Sequence, residues 1–194
     1  MNPNSSLEDN NKLFCKRNRW KGEIYQEGNS IIKSYGKNSF ISKLYGMISL
    51  KLETTALKQL EGIEGIPAFQ GRPTSYSIKM EAVPGIPIAL LQKGDLNKIF
   101  FDRLVSLFRQ IHARGVAHGD AHMRNIIAYH DRPYLVDFST AYVKGLIPLL
   151  DPKLFNWMVL LDTERLYKVE KYFFNSGDAP KMFFIYRMCK MFKE

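Results

Sequence analysis

Residues 115–140, GVAHGDAHMRNIIAYHDRPYLVDFST, constrain this chain more than any other stretch. Three polar side chains stand out in it: Asp120, Asn125 and Asp137. Asp120 and Asn125 are five residues apart in a short loop sequence, and Asp137 follows twelve residues later at the end of an apolar run. Between them, Ile126–Tyr129 and 134–136 read as two short strands joined by a turn at 130–133. A hairpin brings its two ends together, and so brings Asn125 near Asp137. An amide and a carboxylate side by side, with a second carboxylate close by, suit a magnesium ion. That ion takes hard oxygen ligands and keeps part of its shell for substrate phosphates.

HGDAHMRN followed by VDFS resembles the catalytic loop and metal-binding motif of the protein-kinase-like phosphotransferases. The HGDxHxxN form is closer to aminoglycoside and choline kinases, RIO-type kinases and bacterial lipopolysaccharide (Kdo-type) kinases than to the HRDLKxxN form of ordinary protein kinases. The resemblance implies that Asp120 orients an acceptor hydroxyl and takes its proton. It implies that Asn125 and Asp137 hold Mg2+ against the phosphates of ATP. The usual DFG reads DFS, with Ser139 in place of glycine. His122 stands where ordinary protein kinases carry a lysine; it either stabilises charge on the transferred phosphoryl group or shapes the loop. A rival reading makes His118, Asp120 and His122 a zinc site. Zinc wants three or four such ligands, and the only histidines are at 112, 118, 122 and 130, with no HExxH arrangement.

The 194 residues are enough for one domain with a sizeable core, and the 45% hydrophobic and 24% charged composition is that of a globular chain. The first residues, MNPNSSLEDNN, lack the apolar core of a signal peptide, and no apolar run reaches bilayer-spanning length. Cys15 and Cys189 form no CxxC pair, which fits a reducing compartment and a cytoplasmic location, with peripheral attachment to the inner face of the membrane left open. Twenty-eight basic against nineteen acidic residues give +9, a charge suited to phosphorylated ligands, anionic lipid or nucleic acid. No zinc-finger or RNP signature supports nucleic acid.

Along the chain, 1–12 reads as a mobile tail and 13–35 as three short strands, the third carrying Lys33 among apolar neighbours. Residues 38–60 read as a long helix capped at Asn38 or Ser39, with Phe40, Leu44, Met47/Ile48, Leu57 and Leu60 as its apolar face and Gly46 as a weak point. The resemblance implies that Lys33 contacts the α- and β-phosphates and that Glu53, on this helix, is its partner. A solvent-facing lysine and a surface glutamate are the alternatives. No GxGxxG precedes Lys33; the corresponding stretch has only Gly22. A turn and fourth strand are expected in 62–71 and a fifth strand at 76–81. Glu81 to Val83 would then be the hinge that meets the adenine through backbone groups. Residues 95–114 read as a helix capped by Asp95 and stopped by Gly115. A helix is expected from Asp151 or Pro152 to about Phe173, with Leu154, Trp157/Met158, Leu161 and Leu166 as its apolar positions, and another, basic and aromatic, at 181–194. The latter packs on the domain or lies on anionic lipid.

These readings give an α+β, protein-kinase-like, two-lobed fold: an antiparallel N-lobe sheet plus one long helix at 13–83, and a shortened, mostly helical C-lobe at 84–194. The expected activity is ATP- and Mg2+-dependent transfer to a sugar, glycolipid or protein hydroxyl. The alternative is a pseudokinase that binds nucleotide without transfer.

Overall fold

The chain carries a turn at Gly28, held at φ +56, that folds Glu23–Glu27 back on Ser30–Ser34. In the computed structural model, which describes residues 12–15, 22–36, 40–148 and 151–174, these segments are β2 and β3. With β1 (Lys12–Cys15), β4 (Phe69–Thr74) and β5 (Ser77–Glu81) they form an antiparallel sheet in the order β1-β2-β3-β5-β4. Lys33 lies opposite Ile24 on one side and Ile78 on the other. Turns and loop occupy 62–68, and the fourth strand runs on past the expected 62–71 to Thr74. The expected tail at 1–12 lies outside the described residues apart from Lys12, which belongs to β1.

The long helix is α1 (Phe40–Gln59); its expected caps, Asn38 and Ser39, lie outside the described residues. Its apolar pattern does not match its buried face. Leu50, Ala56, Leu57 and Leu60 are buried, but Leu44, Met47 and Ile48 are exposed. The reason is Gly46. A Cβ there would stand 2.3 Å from the Tyr35 ring, so that ring packs directly on the helix backbone. The face with Ser42, Gly46 and Ser49 turns inward, and the bulky residues turn out.

By contact density the chain divides into two compact units, one of residues up to Lys51 with 69–82, the other of 52–68 and from Val83 onward. In the second, α2 (Lys98–Ala113) buries Phe100, Leu104, Leu107, Phe108 and Ile111, the face its periodicity predicts. Its cap is Asn97, whose side chain accepts from Phe100 N at 2.8 Å, and not Asp95, which accepts from Gln92 N at 2.7 Å.

The hairpin consists of β8 (Ile126–Tyr129) and β9 (Arg132–Leu135), with β6 (Ile86–Pro87) on the other side of β8. Its turn is shorter than the 130–133 expected: only His130 and Asp131 lie between the strands, and Pro133 pairs with Ala128 inside β9. Pro133 is tolerated there because β9 is an edge strand, where a missing N–H breaks no ladder. Short strands β7 (Val116–Ala117) and β10 (Tyr142–Val143) pair antiparallel, and α3 runs Asp151–Phe174. Along α3, Leu166, Val169 and Phe173 are buried, and of the Trp157/Met158 pair Met158 is half-buried and Trp157 exposed. The expected helix at 181–194 lies outside the described residues.

Candidate active site

Helix α2 ends at Arg114, and Gly115 at φ +73 turns the chain into β7 and then into His118. The loop that follows is held from below by one buried carboxylate, Asp162 of α3. Its Oδ2 accepts from His118 N and its Oδ1 from Gly119 N, each at 2.8 Å. His112 Nε2 reaches the same Oδ2 at 2.9 Å. Such a buried charge is stable only because donors surround it. Gly119 sits at φ +77, and a Cβ there would meet Thr140 O at 2.8 Å and the end of Met158 at 2.4 Å, so the loop seats directly against its support.

The buried His118 ring is fixed at both nitrogens. Nδ1 accepts from Asp120 N at 3.3 Å, so Nε2 carries the proton and donates to Val136 O at 3.1 Å. With both ring nitrogens engaged, His118 is a strut between the loop and the hairpin, and it has no lone pair to offer a zinc ion. Asp120 itself is partly exposed, and its carboxylate stands 3.6 Å from His122 Nε2. Its backbone oxygen accepts from His122 N at 2.8 Å and from Asn125 Nδ2 at 2.9 Å.

That last bond orients the Asn125 amide. Its NH2 end faces Asp120 O, so its oxygen is the opposite end of the group. Asn125 O accepts from Val136 N at 3.0 Å, extending the β8–β9 ladder by one step and placing Asn125 one residue out of register with Asp137. Asp137 adopts φ +65, ψ +67. Ser139, where a glycine is usual, donates its hydroxyl to Asp137 Oδ1 at 2.6 Å. The arrangement offers hard oxygen donors from an amide and a carboxylate at the hairpin end, a set that fits magnesium. Among the described residues no group of three His, Cys, Asp or Glu side chains could hold a metal ion.

Past the site, Tyr142 donates its hydroxyl to Asp151, the first residue of α3, and Gly145 N donates to the same carboxylate. Burial pushes the Tyr142 hydroxyl above its ordinary range, and the Asp151 hydrogen bond and charge add in the same direction. This clasp closes the short segment between the hairpin and α3.

The remaining predicted residues divide between the two units. Lys33 is buried on β3, and Glu81 ends β5 half-buried, both in the first unit. Glu53 is buried on α1 and Val83 half-buried after β5, both in the second. Within the second unit, the end of α1 is tied to the end of α2: Gln59 Nε2 donates to Arg114 O at 3.1 Å, and Arg114 donates to Gln59 O at 3.2 Å. Gly65 O accepts from Leu135 N at 2.9 Å, so the loop after α1 is anchored to the hairpin. Glu53 thus rides on an element whose end is anchored to α2 and to the β8–β9 hairpin.

Two contributors to the site were not expected, Asp162 and His112. A signal for Asp162 exists: it is an acid on the apolar stripe that includes Leu166, Val169 and Phe173, where a solvated carboxylate does not belong.

No family model matches the sequence. Similar curated proteins are named probable bifunctional tRNA threonylcarbamoyladenosine biosynthesis proteins. That of Thermoplasma acidophilum is 32% identical over 118 residues, 59% of this chain and 22% of its own length. That of Methanosarcina barkeri is 35% identical over 72 residues, 37% of this chain and 12% of its own. The chain therefore spans less than a quarter of the curated relatives it matches. Among solved structures, the Rio2 kinase–ADP/Mg2+–phosphoaspartate complex of Chaetomium thermophilum superposes with a TM-score of 0.62 at 14% identity, covering 86% of this chain and 57% of that one. A second Rio2 kinase structure from that organism gives 0.61 at 13% identity over 89% of this chain and 69% of the other. The chain has the α+β fold of the protein-kinase-like phosphotransferases.

Proposed function

We propose that this chain is an ATP- and Mg2+-dependent phosphotransferase acting on a hydroxyl acceptor. The observation that supports it most is the conjunction in one short stretch of a partly exposed Asp120, an oriented Asn125 amide and a left-handed Asp137. In this reading Asp120 orients the acceptor hydroxyl. The acceptor oxygen forms a bond to the γ-phosphorus, the bond from that phosphorus to the β,γ-bridging oxygen breaks, ADP leaves, and the hydroxyl proton passes to the Asp120 carboxylate. Asn125 and Asp137 would hold Mg2+, which when bound neutralises phosphate charge. His122, 3.6 Å from Asp120, would steady that carboxylate or the transferred group. Lys33 and Glu53 would serve as the phosphate-contacting lysine and its partner, the roles that the resemblance to the kinases implies; each is buried within its own unit. Glu81 and Val83 would supply the backbone groups that meet the adenine.

For the acceptor, a sugar or glycolipid hydroxyl and a protein hydroxyl are the two candidates. A second reading places the chain in tRNA threonylcarbamoyladenosine biosynthesis, favoured by its 32% identity over 118 residues to a protein of that name. Incubation with γ-labelled ATP, in turn with cell-envelope material and with cytosolic protein, distinguishes the acceptors. Label is expected in one fraction with the parent chain and in neither with Asp120→Ala. Nucleotide binding with no label in any fraction would support the pseudokinase reading. Loss of threonylcarbamoyladenosine from tRNA on deletion of the gene would support the second.

A further inference from the structure

The half-buried Ser139 gives its hydroxyl proton to a side chain, Oδ1 of Asp137, at 2.6 Å. The short turn that carries Ser139 is held by other contacts. Ala141 N donates to Phe138 O at 3.0 Å, and the buried Phe138 ring lies 4.7 Å from the His118 ring, centre to centre. Nor does position 139 call for a glycine: among the described residues, the non-glycine positions at positive φ are His130 and Asp137. Ser139 therefore sits in ordinary backbone geometry, and its hydroxyl is aimed from a fixed base at the carboxylate two residues back.

A carboxylate turns readily about its last bond, because that torsion is broad and roughly two-fold. One donor at a fixed place selects its orientation, and 2.6 Å is the length of a charge-assisted O–H···O− bond. A carboxylate has about four lone-pair sites, so one hydroxyl leaves it able to ligate a metal. The backbone leading into Asp137 is held as well. Val136 N donates to Asn125 O at 3.0 Å, and Val136 O accepts from His118 Nε2 at 3.1 Å. The Asn125 amide is turned by its own bond to Asp120 O at 2.9 Å. Each of the two side chains assigned to Mg2+ thus has a neighbour that orients it: a backbone carbonyl for the amide, Ser139 for the carboxylate. Hydrogen-bond partners of this kind tune how strongly ligands hold a metal.

We propose that Ser139 is a positioning residue for the metal site. Its hydroxyl fixes the Asp137 carboxylate in the orientation that ligates Mg2+, and a glycine in its place weakens metal binding. The proposal rests on the reading of Asp137 as a magnesium ligand. It adds a residue outside the Asp120, Asn125 and Asp137 set, one that acts through Asp137 and not on the metal itself.

Calorimetric titration of the full chain with ADP, once in excess Mg2+ and once in EDTA, is the test. The ratio of the two affinities reports the metal and needs no turnover. In Ser139→Ala and in Ser139→Gly that ratio is expected to fall about 10- to 100-fold. Ser139→Thr keeps the hydroxyl and is expected to restore it. The unliganded thermal midpoint of Ser139→Ala should stay near that of the parent, because other contacts hold the turn. Asp137→Asn separates the two claims. A lowered ratio in Asp137→Asn beside a parent-like ratio in Ser139→Ala would leave Asp137 a ligand and overturn the role of Ser139. An equal loss in Ser139→Thr and Ser139→Ala would overturn it too, since the hydroxyl would then not be what matters. A ratio near one in the parent, or a parent-like ratio in Asp137→Asn, would remove the magnesium reading and this proposal with it.

Discussion

At Asp137 the backbone sits at φ +65, which an L-residue other than glycine holds only where its surroundings enforce it. The enforcement is visible: Val136 is bonded on both sides, by Asn125 and His118, and Ser139 donates to the Asp137 carboxylate. If that carboxylate is a magnesium ligand, Mg-ATP at a hundredfold excess over its Kd should stabilise the parent by about 2.7 kcal/mol. Asp137→Asn should lose most of the corresponding rise in thermal midpoint while keeping the unliganded midpoint near that of the parent; an undiminished rise would remove Asp137 from the metal site. Asp120, Asn125 and Asp137 could be proposed as a site from the sequence because all three lie in one short stretch whose hairpin is itself readable. Asp162 was not, because its partners His112 and His118 are 50 and 44 residues away and only the fold brings them together. Glu170 of α3 is another buried acid, and its Oε2 has no hydrogen-bond partner among the described residues. Burial raises its pKa first, the Asp102 charge adds to that, and Lys98 opposes it. A carboxyl raised in the folded state favours folding at pH below its unfolded pKa, and that contribution is lost as pH rises through the folded value. Glu170→Gln should therefore raise the thermal midpoint at neutral pH, with the gain fading in acid; a lower midpoint at neutral pH would show that the carboxylate is paired.

Among the elements, α2 and the β8–β9 hairpin followed their sequence patterns, since each packs one continuous apolar face into the second unit. Helix α1 did not. Its apolar periodicity in the first half points outward, and the inward side was set by the small residues that let Tyr35 approach. Periodicity reports which residues share a face; it does not say which face is covered. The two readings make opposite predictions at Gly46. Helix propensity alone predicts that Gly46→Ala stabilises by about 1 kcal/mol. The structure predicts destabilisation, of order 1–3 kcal/mol for an overpacked site, because the new Cβ would stand 2.3–2.7 Å from the root of the Tyr35 ring. Urea denaturation decides between them by the sign of the change in midpoint. The support of the 118–125 loop by α3 is testable in the same way. Asp162→Ala leaves the buried His118 N–H and the half-buried Gly119 N–H without their acceptor, the buried one alone costing about 1–3 kcal/mol, so the urea midpoint should fall markedly. A change within about 0.5 kcal/mol, the range of an ordinary surface substitution, would mean that the loop does not depend on that carboxylate.

For the molecule as a whole, the fold class was readable because one motif fixes it: a hairpin with Asp, Asn and Asp at these spacings is found at the C-lobe site of protein-kinase-like proteins, and the superposition on Rio2 kinase bears out that fold. The acceptor was not readable. Recognition of an acceptor lies in surface shape and charge, and neither the +9 balance nor the short segment closed by Tyr142 and Asp151 specifies one substrate. The chemistry can still be tested before the acceptor is known, because slow hydrolysis of ATP uses the same groups. The decisive measurement is γ-phosphate release and Mg-ATP binding, side by side, for the parent and Asp120→Ala. A base that faces the acceptor contributes to rate and little to nucleotide affinity, so the variant should bind Mg-ATP as the parent does and turn it over about a hundred- to ten-thousand-fold more slowly. Turnover by Asp120→Ala equal to that of the parent would contradict the assignment of this chain as an Asp120-dependent phosphotransferase.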